Sequence, residues 1–193
     1  MRVGLIALLI VLALVVLTVL GGGCMVYGAY KDAIRLDEEV KSTWSNVDVA
    51  LKRRYDLIPN FVETVKGYAK HEAETLQKVI AARNDALQAK SPGQAAAAAS
   101  ALSGALRLAV KVVNERYPDL KANENFRALM IELEGSENRI AEMRKRYNAA
   151  VKQLNTHIRG PIGSIAASWA DVEKAEYFEA GEGERETPKV AFD

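Results

Sequence analysis

The sequence predicts an all-α protein in which an N-terminal transmembrane helix precedes an antiparallel four-helix bundle with long helices. The residues from Val3 to Leu20 are nearly all apolar, and no charged residue occurs from Val3 to Tyr30. Between Tyr30 and Ile158, glycine and proline are scarce, and residues that favour helices dominate. Apolar residues in that region recur three and four positions apart, as on one face of a helix.

These patterns divide the chain into four segments. We predict a transmembrane anchor with a Gly-rich exit (1–30), a helical bundle domain (31–159), a short C-terminal helical segment (160–180) and a disordered acidic tail (181–193). The last 23 residues, 171–193, contain eight acidic and three basic side chains.

The apolar run of residues 3–20 is long enough to cross the roughly 30 Å hydrocarbon core of a bilayer as a helix. We interpret it as a retained anchor, followed by a flexible exit at Gly21–Gly23. A cleaved secretory signal is an alternative, although the apolar core of such signals is usually only about 7–15 residues long. A lipoprotein signal, with lipid attached at Cys24, is another. Gly21 stands three positions before Cys24, where such signals normally have a branched apolar residue.

The soluble part carries no excess of either charge. The chain has 26 basic and 25 acidic residues, and Arg2 is the only charged residue before Lys31. Because nucleic-acid binding needs a basic face and a readout motif, no nucleic-acid partner is predicted. Charges on the two sides of the anchor are nearly balanced and orient it weakly. The short N-terminus favours a single-pass signal-anchor with an extracytoplasmic soluble domain.

The first half of the bundle is predicted from two apolar stripes. The first stripe consists of Leu36, Val40, Trp44, Val47, Leu51 and Tyr55. The second consists of Val62, Val65, Ala69, Ala73, Leu76 and Ile80. Pro59 predicts the start of a second helix, which Asp56 would cap. The alternative is one kinked helix that runs through Pro59.

The second half of the bundle follows a turn at Ser91–Gly93. The five alanines after this turn can begin a helix but are expected to bury little, so this segment is expected either to be mobile or to initiate the next helix. The third stripe consists of Leu102, Leu106, Ala109, Val113 and Tyr117, and Pro118 ends it. The fourth helix is predicted to start near Asn123, to be the longest and to end at Gly160. A short helix from Ile165 to Phe178 is expected after it.

Two blocks of the sequence resemble the LemA family. They are WSNVDVALKRRYDLIPNFVETVKGYAKHEAETL, residues 44–76, and YPDLKANENFRALMIELEGSENRIAEMRKRYNAAVKQLN, residues 117–155. With the N-terminal apolar segment and the late Tyr177–Glu179 motif, the resemblance covers most of residues 30–179. It implies an α-helical bundle anchored in a bacterial cell membrane, with no catalytic activity established for the family. The Ala-rich stretch at 91–101 departs from the family pattern.

No catalytic, metal or cofactor site is predicted. A structural zinc site needs about four closely spaced ligands, and the chain offers only His71, His157 and Cys24. Phosphate loops, nucleophile elbows and HExxH motifs are absent from the sequence. Glu134 and Glu137 lie one turn apart beside Leu133, which indicates a solvated helix face rather than a dinuclear metal site.

Polar residues within the two blocks are the candidate site. They are Arg53, Arg54, Asp56, Asn60, Asn123, Asn125, Asn138 and Arg139. One interpretation is a polar network that fixes helix register. The other is a partner groove at the Asp56–Pro59 and Tyr117–Asn125 corners, which an up-down bundle would bring together at its membrane-distal end.

The sequence therefore predicts a non-enzymatic, membrane-anchored scaffold or interaction protein. It would contact the bilayer through residues 3–20 and would form a homo-oligomer or bind a membrane-protein partner. The alternative is an accessory or regulatory subunit of a membrane enzyme or protease system. A metal-dependent enzyme is a third hypothesis.

Overall fold

The computed structural model describes residues 2–69 and 71–179, and side chains from residue 9 onward. Within these residues it contains helices and no strands, which confirms the predicted all-α class. The helices are α1 (Arg2–Tyr68), α2 (Ala73–Leu87), α3 (Pro92–Arg116), α4 (Pro118–Ala122), α5 (Glu124–Arg159) and α6 (Pro161–Ala170). The tail that was predicted to be disordered, 181–193, lies outside the described residues.

The described residues form two compact units. The first unit contains residues 2–41 of α1 together with residues 149–175, which include the end of α5 and all of α6. The second unit contains residues 42–148 together with the extended residues 176–179.

In the second unit, four helices alternate in direction, as predicted. Trp44 packs on Tyr147 with ring centroids 5.4 Å apart, and Phe61 lies 6.3 Å from Phe126, so α1 and α5 are antiparallel. Glu72, at the start of α2, accepts a hydrogen bond of 3.1 Å from the Tyr117 hydroxyl, which follows the end of α3. The α2 and α3 helices are therefore antiparallel too, and residues of all three predicted stripes are buried in the core.

The prediction that Pro59 starts a new helix is wrong. The α1 helix continues through Pro59 to Tyr68, and the first turn of the bundle lies at residues 69–72. Proline has no N–H for the carbonyl four residues earlier, which here belongs to Tyr55. Nε of Arg83 on α2 donates to that carbonyl at 2.8 Å. Asp56 consequently lies inside α1 and does not cap a helix.

Two glycine- and alanine-rich segments also differ from expectation. Gly21–Gly23 lie inside α1, so the expected flexible exit is helical and α1, rather than the fourth bundle helix, is the longest. The alanines after Ser91 belong to the start of α3, which is one of the two expectations, but Ala95, Ala96 and Ala99 are buried, contrary to the expectation that they bury little. Small side chains allow this part of α3 to pack closely against its neighbours, so burial stabilises it.

The starts of α3 and α5 agree with the sequence. The Ser91 hydroxyl accepts a hydrogen bond from the Gln94 amide and caps α3, and Asn123 caps α5 by accepting from the Phe126 amide at 3.1 Å. By length and composition α3 could cross a membrane, but 39 % of its most apolar window is buried in the protein. It is therefore a core helix of the second unit.

The first unit combines the apolar part of α1 with the end of α5. Within the described residues of α1, the apolar side chains from Leu9 to Leu20 are exposed, and no part of the most apolar window is buried. After Gly160, α6 spans Pro161–Ala170, so the predicted helix from Ile165 to Phe178 begins and ends too late. The chain beyond α6 is extended because Asn155 on α5 binds both backbone groups of Ala175, at 2.9 and 3.0 Å.

Candidate interaction groove

A groove of about 520 Å³ lies between α3 and α5 in the second unit. Its lining is mainly apolar and comes from Leu106 and Val110 on α3 and from Met130, Ile131 and Leu133 on α5. We call it the α3–α5 groove. Apolar grooves with a few polar groups are the usual form of a ligand or peptide site.

Arg54 of α1 lies at the base of this groove. Only 5 % of the residue is exposed, which is unusual for an arginine. Its guanidinium donates to the Ser103 hydroxyl at 3.0 Å and forms an ion pair of 2.6 Å with Glu137. The Ser103 hydroxyl in turn donates to the Ala99 carbonyl at 2.9 Å. These bonds link α1, α3 and α5 and fix the distance between the two walls.

The walls of the α3–α5 groove carry opposite charges near their solvent side. Arg107 lies on α3 and Glu134 on α5, and both are exposed. In the described part of the chain neither belongs to an ion pair. Ile131 is 71 % exposed, which is high for an isoleucine. The groove therefore offers an apolar strip between a cation and an anion.

A second hollow of about 180 Å³ continues the groove toward the earlier residues of α3. It shares Arg54, Ser103, Arg107 and Glu137 with the first. Its other end contains Phe178, whose ring lies 5.8 Å from the Arg144 guanidinium carbon. Phe178 is held there because Asn148 of α5 binds both its backbone groups, at 2.9 and 3.0 Å.

A polar cluster joins the turns at one end of the bundle. The Asn123 amide donates to the Tyr68 hydroxyl at 2.9 Å, and Glu72 accepts hydrogen bonds from Tyr117 at 3.1 Å and Arg116 at 3.4 Å. Burial and the Glu72 carboxylate raise the pKa of Tyr117. The two turns meet, as the up-down topology predicts, but the first is Tyr68–Glu72 rather than Asp56–Pro59.

The structure separates the predicted site residues into different environments. Arg54 lies in the α3–α5 groove and Asn123 in the polar cluster of the turns. Arg53 and Arg139 line a hollow of about 160 Å³ between α1 and α5. The remaining bundle residues, Asp56, Asn60, Asn125 and Asn138, are exposed. Cys24 is an exposed free thiol on α1.

Sequence reasoning missed the partners of Arg54 and the contacts that Asn148 and Asn155 make with the extended segment. Arg54 lies three residues after Leu51 and four before Ile58, which is the spacing of a core position and signals a buried charge. Asn148 and Asn155 are seven residues apart, two turns of α5, beside the apolar stripe. That spacing is the signal that was available for them.

The described residues offer little for metal chemistry. Among them, no group of three or more His, Cys, Asp or Glu side chains converges on a position for a metal ion. Glu137, one of the carboxylates considered for such a site, pairs with Arg54 instead. The arrangement of the groove fits binding through apolar contact and charge.

Comparison with known proteins gives consistent results. The family model described as "LemA family" matches residues 43–192. A protein named LemA from Metamycoplasma hominis is 27 % identical over 162 residues, which cover 82 % of this chain and 72 % of that protein. Magnetosome proteins MamQ 1 and MamQ 2 of Paramagnetospirillum magneticum are each 24 % identical over 190 residues, covering 83 % of this chain and 70 % of theirs. The chain thus belongs to the LemA family.

Proposed function

We propose that this chain is a non-enzymatic, membrane-anchored helical scaffold that self-associates through the α3–α5 groove. The observation that carries the proposal is an apolar groove with a cation on one wall and an anion on the other. The proposed anchor is the apolar part of α1, which crosses a bacterial cell membrane once and leaves the bundle on the extracytoplasmic side. Its exposed apolar side chains support this assignment.

The charges on the groove favour a second copy as the occupant. A two-fold axis brings the same surface of both copies together. If one residue of the first copy contacts a second residue of the other copy, the reverse contact forms as well. Arg107 of one copy can then pair with Glu134 of the other, and the reverse pair forms at the same time. The exposed Ile131 side chains would be buried between the copies, which removes apolar surface from water.

The floor of the groove supports a binding role rather than a flexible surface. Arg54 holds α3 and α5 through Ser103 and Glu137, so the walls are positioned before a partner arrives. A preformed site avoids part of the entropy cost of association. Preformed walls would favour a membrane-protein partner as well, so the experiment has to distinguish such a partner from a second copy.

Charge exchange on the full-length protein in detergent micelles tests the proposal. The wild type is expected to sediment as a dimer, with Arg107→Glu and Glu134→Arg each weakening self-association at least about tenfold because like charges then face each other. A mixture of the two variants should recover dimers that contain one copy of each. Leu108→Asp is the matched control, since Leu108 is exposed on α3 but does not line the groove.

Two results would reject self-association through the groove. One is a wild type that stays monomeric at every concentration, and the other is a dimer that both charge variants leave unchanged. The alternative of a regulatory subunit would be favoured by a different result. The wild type would then be a monomer that crosslinks to another membrane protein, and Arg107→Glu would abolish that crosslink. Sidedness is tested separately, because protease added to spheroplasts should digest the bundle only if it is extracytoplasmic.

A further inference from the structure

The α6 helix presents an uncharged apolar face to solvent. Residues 160–170 contain no charged side chain. Gly163, Ala166 and Ala167 of α6 are buried, whereas Ile162, Ile165 and Trp169 are 40 %, 49 % and 69 % exposed. Their spacing of three and four places them on one side of the helix. A contiguous exposed face of this kind marks an interaction surface.

Contacts within the first unit place the start of α6 beside residue 29 of α1. Nε2 of His157, near the end of α5, donates to the Ala29 carbonyl at 3.0 Å. Pro161 begins α6 four residues later. Gly163 packs so closely on the backbone of His157 that a Cβ there would overlap the carbonyl oxygen. The start of the α6 helix is therefore held near Ala29 of α1.

Residue 29 lies at the boundary of the membrane segment. The uncharged stretch of residues 3–30 rises about 42 Å as a helix, which matches the thickness of a bilayer including its headgroups. Lys31 is the first charged residue after it, and its ammonium lies 4.7 Å from the centre of the Tyr27 ring. A tyrosine and a lysine in this arrangement are typical of the membrane–water interface.

We propose that α6 is an interfacial helix whose Ile162, Ile165 and Trp169 face lies in the headgroup region of the bilayer that α1 crosses. Tryptophan and isoleucine on an uncharged helix face bind at this depth because they remove apolar surface from water. The bilayer is favoured over a second copy or another protein because α6 begins beside residue 29, where the uncharged segment of α1 ends. The inference rests on the anchoring of α1 in the proposed function.

Tryptophan quenching in vesicles tests the position of α6. The chain has two tryptophans, so full-length Trp44→Phe leaves Trp169 as the sole emitter. In phosphatidylcholine vesicles, bromine at carbons 6 and 7 of the acyl chains should remove about half of its emission, as expected at interfacial depth. Bromine at carbons 11 and 12 should remove less, and aqueous iodide should have little effect.

Two variants in the Trp44→Phe/Trp169→Phe background calibrate the measurement. Lys41→Trp adds an emitter about 18 Å beyond Ala29 along α1, where iodide should quench it and bromine should not. Leu17→Trp places an emitter within the anchor, where the deeper bromine should quench it strongly. The second variant reports on anchoring independently of α6.

The outcomes distinguish the interfacial position of α6 from the membrane anchoring of α1. If Leu17→Trp is quenched by lipid but Trp169 is quenched only by iodide, the α6 inference is wrong and the anchor stands. If neither iodide nor bromine reaches Trp169, protein covers the face and the inference is equally wrong. If lipid does not quench Leu17→Trp, the anchor itself fails, and the proposed function fails with it.

Discussion

Two buried tyrosines on facing helices make opposite contributions to stability. Tyr55 is 3 % exposed, and among the described residues its hydroxyl has no hydrogen-bond partner. Tyr147 is 1 % exposed, and its hydroxyl donates to the Glu176 carbonyl at 2.7 Å. A buried hydroxyl without a partner costs free energy, whereas a satisfied one contributes.

Phenylalanine at the two positions should therefore shift stability in opposite directions. We expect Tyr55→Phe to raise the melting temperature by about 2–4 °C and Tyr147→Phe to lower it by about as much, each for roughly 1 kcal/mol. Melting of the full-length protein in detergent, followed by circular dichroism, measures both. Equal shifts of the same sign would contradict this assignment of hydrogen bonds.

The burial of the Tyr147 phenol also makes the stability of the folded protein depend on pH. Burial, together with the nearby Glu176, raises the pKa of Tyr147 to about 12 from 10.0, because the folded state favours the neutral phenol. Its contribution is then fully present below pH 10 and is lost as the pH rises through about 12.

Tyr147→Phe removes the titrating group, so the melting temperatures of wild type and variant should differ by a constant amount below pH 10. Between pH 10 and 12 the wild type should lose stability faster, and the difference should shrink and then reverse. A difference that stays constant up to pH 12 would mean that the phenol is not buried in the folded protein.

The buried ion pair of the groove is a further residue-scale test. Removal of one partner of a buried pair leaves a charge that is costly to keep out of water. Glu137→Gln is therefore expected to destabilise the protein by about 2 kcal/mol, less than for a fully buried pair because Glu137 is half exposed. Arg54→Met should cost less, since methionine fills much of the same space.

A double-mutant cycle of these two substitutions should give a coupling free energy of at least about 1 kcal/mol. Additive effects of Arg54→Met and Glu137→Gln would show that the ion pair does not join α1 to α5 in solution. Glu132→Gln on the exposed side of α5 is the matched control for loss of a carboxylate.

At the scale of elements, α1 continues through Pro59 because another helix replaces the missing backbone donor. Arg83 is 28 residues from Tyr55 in sequence, yet its Nε bonds the carbonyl that proline leaves without an amide. We expect Arg83→Met to cost about 1 kcal/mol in the wild type. In Pro59→Ala, which restores the amide, the same substitution should cost less than half as much.

Melting temperatures of the four proteins in this cycle test the compensation. Lys78→Met, also on α2 but with an exposed side chain that pairs only within its helix, controls for loss of a basic residue. An equal cost of Arg83→Met in both backgrounds would contradict the account of α1.

Helix content and the boundaries of α3 and α5 could be predicted from sequence because periodicity, caps and prolines act locally. Asn123 caps the start of α5 by binding the amide of Phe126, three residues later. Pro118 occupies the first position of α4. The course of α1 could not be predicted, since it depends on Arg83 of a different helix. The burial of Ala95 and Ala99 likewise depends on how α3 packs, which the alanine run does not reveal.

The candidate site could be predicted only in part, because its contacts also depend on how different helices pack. Arg54 interrupts an apolar stripe and was identified as a polar residue of interest. Its partners Ser103 and Glu137 lie 49 and 83 residues away, and only the packing of three helices brings them together. Asp56 and Asn60 occur in the same sequence block but are exposed on α1.

At the scale of the whole molecule, the chain has an exposed apolar helix segment and a bundle whose apolar groove has opposite charges on its two walls. In the proposed function, the anchor would confine copies of the chain to one surface, and the groove would supply a self-complementary face. Each part is testable without the other, because the exposed apolar residues of α1 from Leu9 to Leu20 do not line the groove.

Photo-crosslinking from Ile131 in native membranes tests self-association through the groove most directly. A photoreactive phenylalanine at this exposed groove position should yield a covalent dimer of two copies of the chain. The dimer should disappear with Arg107→Glu and return when a tagged Glu134→Arg copy is co-expressed. The same probe at Leu108, exposed on α3 outside the groove, should give little dimer. Equal crosslinking from both positions, or none to a second copy, would contradict the account.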